Sequence, residues 1–396
     1  MPIETPFHAR TSKLCHSMNW KDWAGYYAVS SYDTCHEQEY FAYRHAAGLM
    51  DVTPLFKYEI KGRDAKRLLL RILSKDITNL KVGKISYCCW CDDEGKMMDD
   101  GTVQCLDEDH YRLTAAEPTL HWLVQNSLSY QVNIEDITQQ YGMLALQGPL
   151  SRDILRHIVG SEIEQLKFFS FIQTTINGNQ VTVSRTGYTG DLGYELWCKN
   201  EAAHNLYDTL MEAGKNYQIL AAGLDALDVA RIEAGFMMNG VDYFSSNHCV
   251  INSRKSTPFE MGLSWCVNLE RDPFIGQQAM IEEKKHGSVW SFVGLEYDWV
   301  EYEKLFAKHK LGPETPHGAW RTGIPVYDNE GEHIGQATSG TWSPTLKQNI
   351  ALASIKTNAF KKADTLQIEA TCEFERLKCP VAVKAPMFFN PERKRA

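Results

Sequence analysis

Two adjacent carboxylates, Asp99 and Asp100, follow an acidic turn over 92–95 and the apolar pair Met97-Met98. A carboxylate that faces a pocket can do general acid–base work there. Neighbours on a strand point to opposite faces, so only one of the two can face a given pocket. By residue pattern alone the same acidic stretch also reads as a solvated turn. Asp228 and Arg231 stand one helical turn apart on a partly apolar face, which fits either a structural ion pair or a substrate clamp. The loop 187–193 has glycine at every third position; this lets backbone approach a flat ligand, yet it matches neither a dinucleotide fingerprint nor a phosphate loop. Cys88-Cys89-Trp90-Cys91 holds one C-x-x-C, but a structural zinc site needs a second pair and His248-Cys249 does not supply one, so ordinary thiols and no metal are expected. Thirteen histidines occur without H-E-x-x-H, and G-x-S-x-G is absent, which removes support for metalloprotease and serine-hydrolase chemistry.

The elements that must position these residues have α+β texture. Short β-rich runs at 56–60 and 111–114 flank a helix over 64–73, whose Leu68, Leu69, Ile72 and Leu73 follow helical spacing. A strand at 181–183, the glycine loop and a strand from Tyr194 lead to helices over 201–213 and 223–236. From 291 onward short strands alternate with turns, with one helical pattern at 302–309, and a separate small β domain is expected. Residues 1–11 and 391–396 read as tails.

The 396 residues suffice for roughly two to three domains. A net charge of −9 leaves no global basic field for nucleic acid or an anionic membrane, so an anionic ligand needs a local cation. No apolar run approaches the ~20 residues of a membrane span, and residues 1–14 lack the apolar core of a secretory signal. Eleven thinly spread cysteines suggest reduced thiols. A cytoplasmic protein is expected.

Several ordered blocks together resemble the T-protein family of tetrahydrofolate-dependent aminomethyltransferases. They are His36-Glu37 through Arg44 with Ala47-Gly48-Leu49 and Asp51-Val52; Asp99-Asp100; Leu146-Gln147-Gly148-Pro149; Thr186-Gly187-Tyr188-Thr189-Gly190 with Gly193-Tyr194-Glu195; Arg231-Ile232-Glu233-Ala234-Gly235; Phe274-Ile275-Gly276; and Thr338-Ser339-Gly340 through Leu346. The resemblance implies an α+β fold, a three-domain cloverleaf. Its parts would be a discontinuous folate-binding domain over 1–54 plus 157–280, an α+β domain over 55–156 and a C-terminal β-barrel over 290–396, with tetrahydrofolate in a central channel. It further implies Asp99 beside the reacting folate nitrogen. Glu195 would accept the two adjacent donors of the pterin, and Tyr87, Tyr188 and Trp265 would stack the ring. Arg231 would supply a cation for the folate tail or a substrate carboxylate.

The chain departs from the family pattern where Gly101-Thr102 follows the aspartates, where Thr114-Ala115-Ala116-Glu117 replaces a usual asparagine, and in a longer, more polar 241–260 segment. These departures suggest a paralogue that moves a methyl group from a small methylated donor to tetrahydrofolate, with Tyr243 and His248 meeting that donor. The alternative is an aminomethyltransferase of the glycine cleavage system, which would dock a lipoylated carrier protein. A further alternative, a non-catalytic folate-binding regulator, is disfavoured because Pro273-Phe274-Ile275-Gly276-Gln277 lacks the cysteine of that group. No G-x-G-x-x-G is present, so no intrinsic flavin is expected.

Overall fold

A computed structural model describes residues 1–360 and 365–396. Its first layer is a five-stranded antiparallel sheet, ordered Ile85–Cys91, Met97–Asp107, His110–Ala115, Phe56–Lys61, Asn133–Asp136. The helix Ala65–Ile72 lies where its spacing predicts and buries Leu68, Leu69 and Ile72 completely against Val103, Leu113 and Trp90 of this sheet. Gly101 is required by register: a Cβ there would lie 2.0 Å from the carbonyl oxygen of Thr114 on the neighbouring strand. Cys88, Cys89 and Cys91 are buried on the strand Ile85–Cys91 and are free thiols.

The second layer is a six-stranded sheet, ordered Phe171–Ile176, Asn179–Ser184, Gly193–Lys199, Tyr141–Gln147, Ala47–Asp51, Ile219–Ala221. Helices Ser151–Val159 and Ala203–Gly214 pack Ile154, Leu155, Leu206 and Leu210 on it. The expected unit 55–156 does not hold together here. Strand Tyr141–Gln147 pairs with both Gly193–Lys199 and Ala47–Asp51 in the middle of this sheet, because its continuous apolar run Met143-Leu144-Ala145-Leu146 needs cover on both faces.

The third layer is a closed six-stranded barrel formed by Trp290–Tyr297, Gln348–Lys356, His333–Ser343, Ile324–Tyr327, Thr365–Cys372 and Glu375–Lys384. A helix, Trp299–Ala307, begins three residues before its expected start, because the Asp298 side chain accepts from Glu301 N at 3.1 Å and caps it. Among the described residues no helix is long and apolar enough to cross a membrane.

The helix Leu224–Glu233 joins the layers. It stops short of the expected residue 236 because Gly235 takes φ +71° and lies so close to the chain end that a Cβ would meet the Pro386 carbonyl at 2.5 Å. Its last residue, Glu233, is fully buried. Oε2 of Glu233 accepts from Arg44 Nε and Nη2 at 2.9 and 2.6 Å, while Oε1 accepts from the hydroxyls of Tyr40 and Ser343, each at 2.5 Å. Its carbonyl takes the amides of Phe388 and Phe389. Arg44 also donates to the Thr189 carbonyl at 3.0 Å.

The 391–396 segment is therefore not a loose tail. Arg393 grips Asp191 through two 2.7 Å contacts, and Arg152 reaches the Ala396 carbonyl at 2.8 Å. The 1–11 segment is likewise packed, with Phe7 fully buried in the six-stranded layer.

Removing one partner of a buried pair leaves the other charge uncompensated. Glu233→Ala should accordingly cost about 3–5 kcal/mol in urea unfolding, and a loss below about 1 kcal/mol would show that the layers are tied elsewhere.

Lys57, fully buried, donates Nζ to the carbonyls of Thr53 and Leu55, each at 2.6 Å, and burial lowers it to about 7. The unfolded chain thus binds more protons between about pH 7 and the ordinary lysine value, so this group makes stability rise with pH across that window. Subtracting the unfolding profile of Lys57→Met from that of the wild type should isolate this rise, and parallel profiles would contradict it.

Candidate functional site

A cavity of about 1520 Å³ opens where the two sheets, the 234–241 segment, the barrel and the chain end converge. The five-stranded sheet brings Asp100, Thr102 and Thr114 to its wall, and the six-stranded sheet brings Gln147 and Glu195.

Strand alternation separates the two aspartates, and it is Asp100, not the expected Asp99, that lines the cavity. Asp99 is 1% exposed and lies behind the wall. Its Oδ1 accepts from Asp100 N and Asn239 Nδ2, and its Oδ2 from Ala116 N and Glu117 N, all at 2.9 Å. Asp99 thus ties the 115–117 wall to the strand. Burial and the neighbouring Asp100 charge push its carboxyl upward, while the N–H donors favour the ionised form.

The Asp100 carboxylate is held by two phenols. Tyr243 donates to Oδ1 at 2.5 Å and Tyr87 to Oδ2 at 2.9 Å. Burial holds the Asp100 carboxyl above the usual range, and both phenols offset part of that rise.

Glu195 lies on the cavity wall. Thr186 donates to its Oε2 at 2.5 Å, and burial raises its carboxyl above the usual range. Tyr87, Tyr188 and Trp265 also line the cavity, in two stacked pairs. Tyr87 lies on Trp265 and Tyr188 on Phe236, each at 5.5 Å between ring centres and 28° between planes. Phe236 escapes a sequence reading because it follows a helix end and shares no period with Tyr188.

Arg231 does not reach the cavity wall. It is fully buried, with Nε on Asp228 at 2.7 Å and Nη1 on Asp242 at 2.5 Å, so the structural ion pair is the reading that holds. Other cations line the cavity, Arg321 and Lys394 among them. Arg321 bonds the outer oxygen of Asp228 at 2.7 Å and is 38% exposed. Lys394, 7% exposed, lies 4.7 Å above the Phe236 ring and is lowered to about 8, chiefly by burial. Only the run of basic residues near the chain end hinted at it, and that run read equally well as a solvated tail.

Neither residue expected to meet a small donor lines the cavity. Tyr243 is 1% exposed and spends its hydroxyl on Asp100. His248 is 63% exposed on its side chain and pairs with Glu117 at 2.8 Å, which does reach the wall. The glycine-rich loop serves a different neighbour from the one expected. A Cβ at Gly187 or Gly193 would meet the Gln147 amide at 2.0 or 2.1 Å, so the missing side chains make room for Gln147. Gln147 in turn holds the loop by donating to the carbonyls of Thr186 and Tyr194.

Comparison with known proteins bears on what this cavity does. Residues 7–271 match the GCVT N-terminal domain and residues 310–389 the glycine cleavage T-protein C-terminal barrel domain. An aminomethyltransferase of Halothermothrix orenii is 32% identical over 84% of this chain and 86% of its own length. One of a Geobacillus species is 34% identical over 87% and 88%. The crystal structure of the glycine cleavage system aminomethyltransferase T from Bartonella henselae superposes with a TM-score of 0.82 at 22% identity, covering 98% of this chain and 99% of that one, a likeness of fold. The names of these relatives overturn the expectation of a demethylase acting on a small methylated donor and favour its alternative. With both halves of the chain matched and relatives above 30% identity along most of its length, the chain belongs to the glycine cleavage T-protein family.

Proposed function

We propose that this protein is an aminomethyltransferase: it passes a one-carbon unit to tetrahydrofolate from an aminomethyl group carried on the lipoyl arm of a partner protein, with release of ammonia. The observation that carries this reading is the pair of carboxylates in one cavity, Asp100 held by two phenols and Glu195 held by Thr186.

The wall suits a reduced folate. Its volume of about 1520 Å³ exceeds the roughly 300–1,000 Å³ of ordinary small-ligand sites, leaving room for a second reactant. Glu195 has lone pairs to spare for two side-by-side N–H donors. The rings of Tyr188, Phe236, Tyr87 and Trp265 offer flat apolar surface, and Arg321 and Lys394 supply the local cations that an acidic chain needs to hold an anionic tail.

Tetrahydrofolate supplies the nucleophilic nitrogen that receives the carbon. Asp100 then has two tasks in its ionised form. Each of its oxygens accepts one phenol O–H and keeps a further lone pair, with which it can take a proton and stabilise positive charge on the wall. The stacked rings keep that part of the wall poor in water, which strengthens both effects.

The test is to incubate the purified protein with tetrahydrofolate and an aminomethyl-loaded lipoyl carrier protein, and to measure ammonia and the one-carbon folate by mass spectrometry. Absence of both products would reject the reading. In that assay Asp100→Asn should lower turnover roughly 10²-fold or more with little change in folate affinity. Asp99→Asn should instead lower thermal stability, because an amide cannot accept from all four N–H donors. Equal turnover of Asp100→Asn and wild type would move the chemistry off this carboxylate.

Glu195→Gln should weaken folate binding by about 1.5–3 kcal/mol, the range for a hydrogen bond to a charged group. Calorimetric titration giving equal affinities would remove Glu195 from the folate site.

A further inference from the structure

We propose that Tyr243 is a positioning residue for the transfer: it fixes the Asp100 carboxylate on the cavity wall and preserves its charge, and it does not contact the one-carbon donor. This rests on the transferase reading of the cavity.

The placement of Tyr243 follows from how its loop is anchored. Asp242, fully buried on its side chain, accepts from Arg231 Nη1 at 2.5 Å and Met238 N at 2.9 Å on one oxygen. On the other it accepts from the barrel hydroxyls of Thr338 at 2.5 Å and Ser339 at 2.7 Å. The amide of Gly240 donates to the Tyr243 carbonyl at 2.8 Å and closes the turn. With Asp242 tied to the helix and the barrel, the next side chain is delivered to the aspartates. Tyr243 OH stands 2.5 Å from Asp100 Oδ1 and 3.5 Å from Asp99 Oδ1, and Asn239 of the same loop holds Asp99.

Burial forces a division of labour. At 1% exposure Tyr243 has no free face for a ligand, whereas Asp100 lines the cavity. Among the described residues the Asp100 carboxylate meets two phenols and no cation, so its charge depends on those two donors. The titratable groups facing it are Asp99 on its own strand, Tyr87 and Cys88 on the adjacent strand, Tyr243 on the loop and Tyr188 across the cavity. Burial drives both donating phenols far above the usual range, so they remain O–H donors wherever the enzyme works. Burial opposes ionisation of Asp100, and Tyr243 and Tyr87 favour it. Loss of one phenol donor therefore raises the proton affinity of Asp100, and the acid limb of turnover moves to higher pH.

The experiment compares wild type, Tyr243→Phe and Tyr87→Phe across pH, with thermal unfolding checked for each. Tyr243→Phe should shift the acid limb of kcat upward by about one to two pH units, the size expected from losing one hydrogen bond to a charged group. KM for the carrier and the dissociation constant for tetrahydrofolate should stay within about twofold. An independent readout is the carboxyl carbon resonance of Asp100 in protein labelled at aspartate Cγ, assigned by its disappearance in Asp100→Asn. Its titration midpoint should move upward in Tyr243→Phe by the same amount as the kcat limb. An unmoved midpoint overturns the proposal, as does a fall in kcat that is uniform across pH or a change confined to KM for the carrier. If wild type transfers no carbon, the transferase reading fails, and the resonance still decides whether Tyr243 governs the charge of Asp100.

Discussion

The buried pair Arg44–Glu233 is the constraint on which the rest of the structure depends. Two charges withdrawn from water are tolerated only when nearly every donor and acceptor they carry finds a partner. The partners here come from distant parts of the chain: Tyr40 on the Arg44 helix, Thr189 in the glycine loop, Ser343 on a barrel strand, and Phe388 and Phe389 in the closing segment. The need to satisfy one carboxylate and one guanidinium draws the six-stranded sheet, the central helix and the barrel to a common point. The cavity is the space left between the layers so held.

A second buried carboxylate, Asp242, repeats the device on a smaller scale and aims it at the chemistry. It joins Arg231 to two barrel hydroxyls, and in doing so sets the loop that carries Asn239 and Tyr243. The period of two along a strand then divides the acidic pair into different employments. Asp99 is consumed by N–H donors and holds the wall, while Asp100 is left with two hydroxyls and an open side toward the cavity. The Asp99 oxygens are occupied by four N–H groups and do not line the cavity, so Asp100 is the neighbour placed to meet a ligand there.

Charge is distributed with similar economy. The chain is acidic overall, yet Arg321 and Lys394 bring cations to the cavity from the barrel region and from the chain end. Lys394 is held there because Arg393 locks onto Asp191 and because Arg152 and Arg185 grip the terminal carbonyls. A segment that composition alone marks as a solvated tail becomes part of the wall.

What the sequence determined by itself is what depends on local period and on ordered blocks. The helix around Leu68, Leu69 and Ile72, the strands flanking the glycine loop, the β-rich C-terminal unit and the family were all legible there, as were Glu195, Tyr87, Tyr188 and Trp265 as wall residues. The limits of that reading have physical reasons. Alternation along a strand says that Asp99 and Asp100 face opposite sides, but only packing says which side is hollow. The spacing of Asp228 and Arg231 is the same for a clamp and for a structural pair, and the arrival of Asp242 from beyond the helix decided between them. The place of strand Tyr141–Gln147 in the six-stranded sheet escaped local reading because its partners lie nearly a hundred residues upstream and some fifty downstream. The places of Tyr243 and Lys394 escaped it for the same reason: a side chain's neighbours across the fold are set by burial and hydrogen-bond satisfaction, which no local pattern encodes.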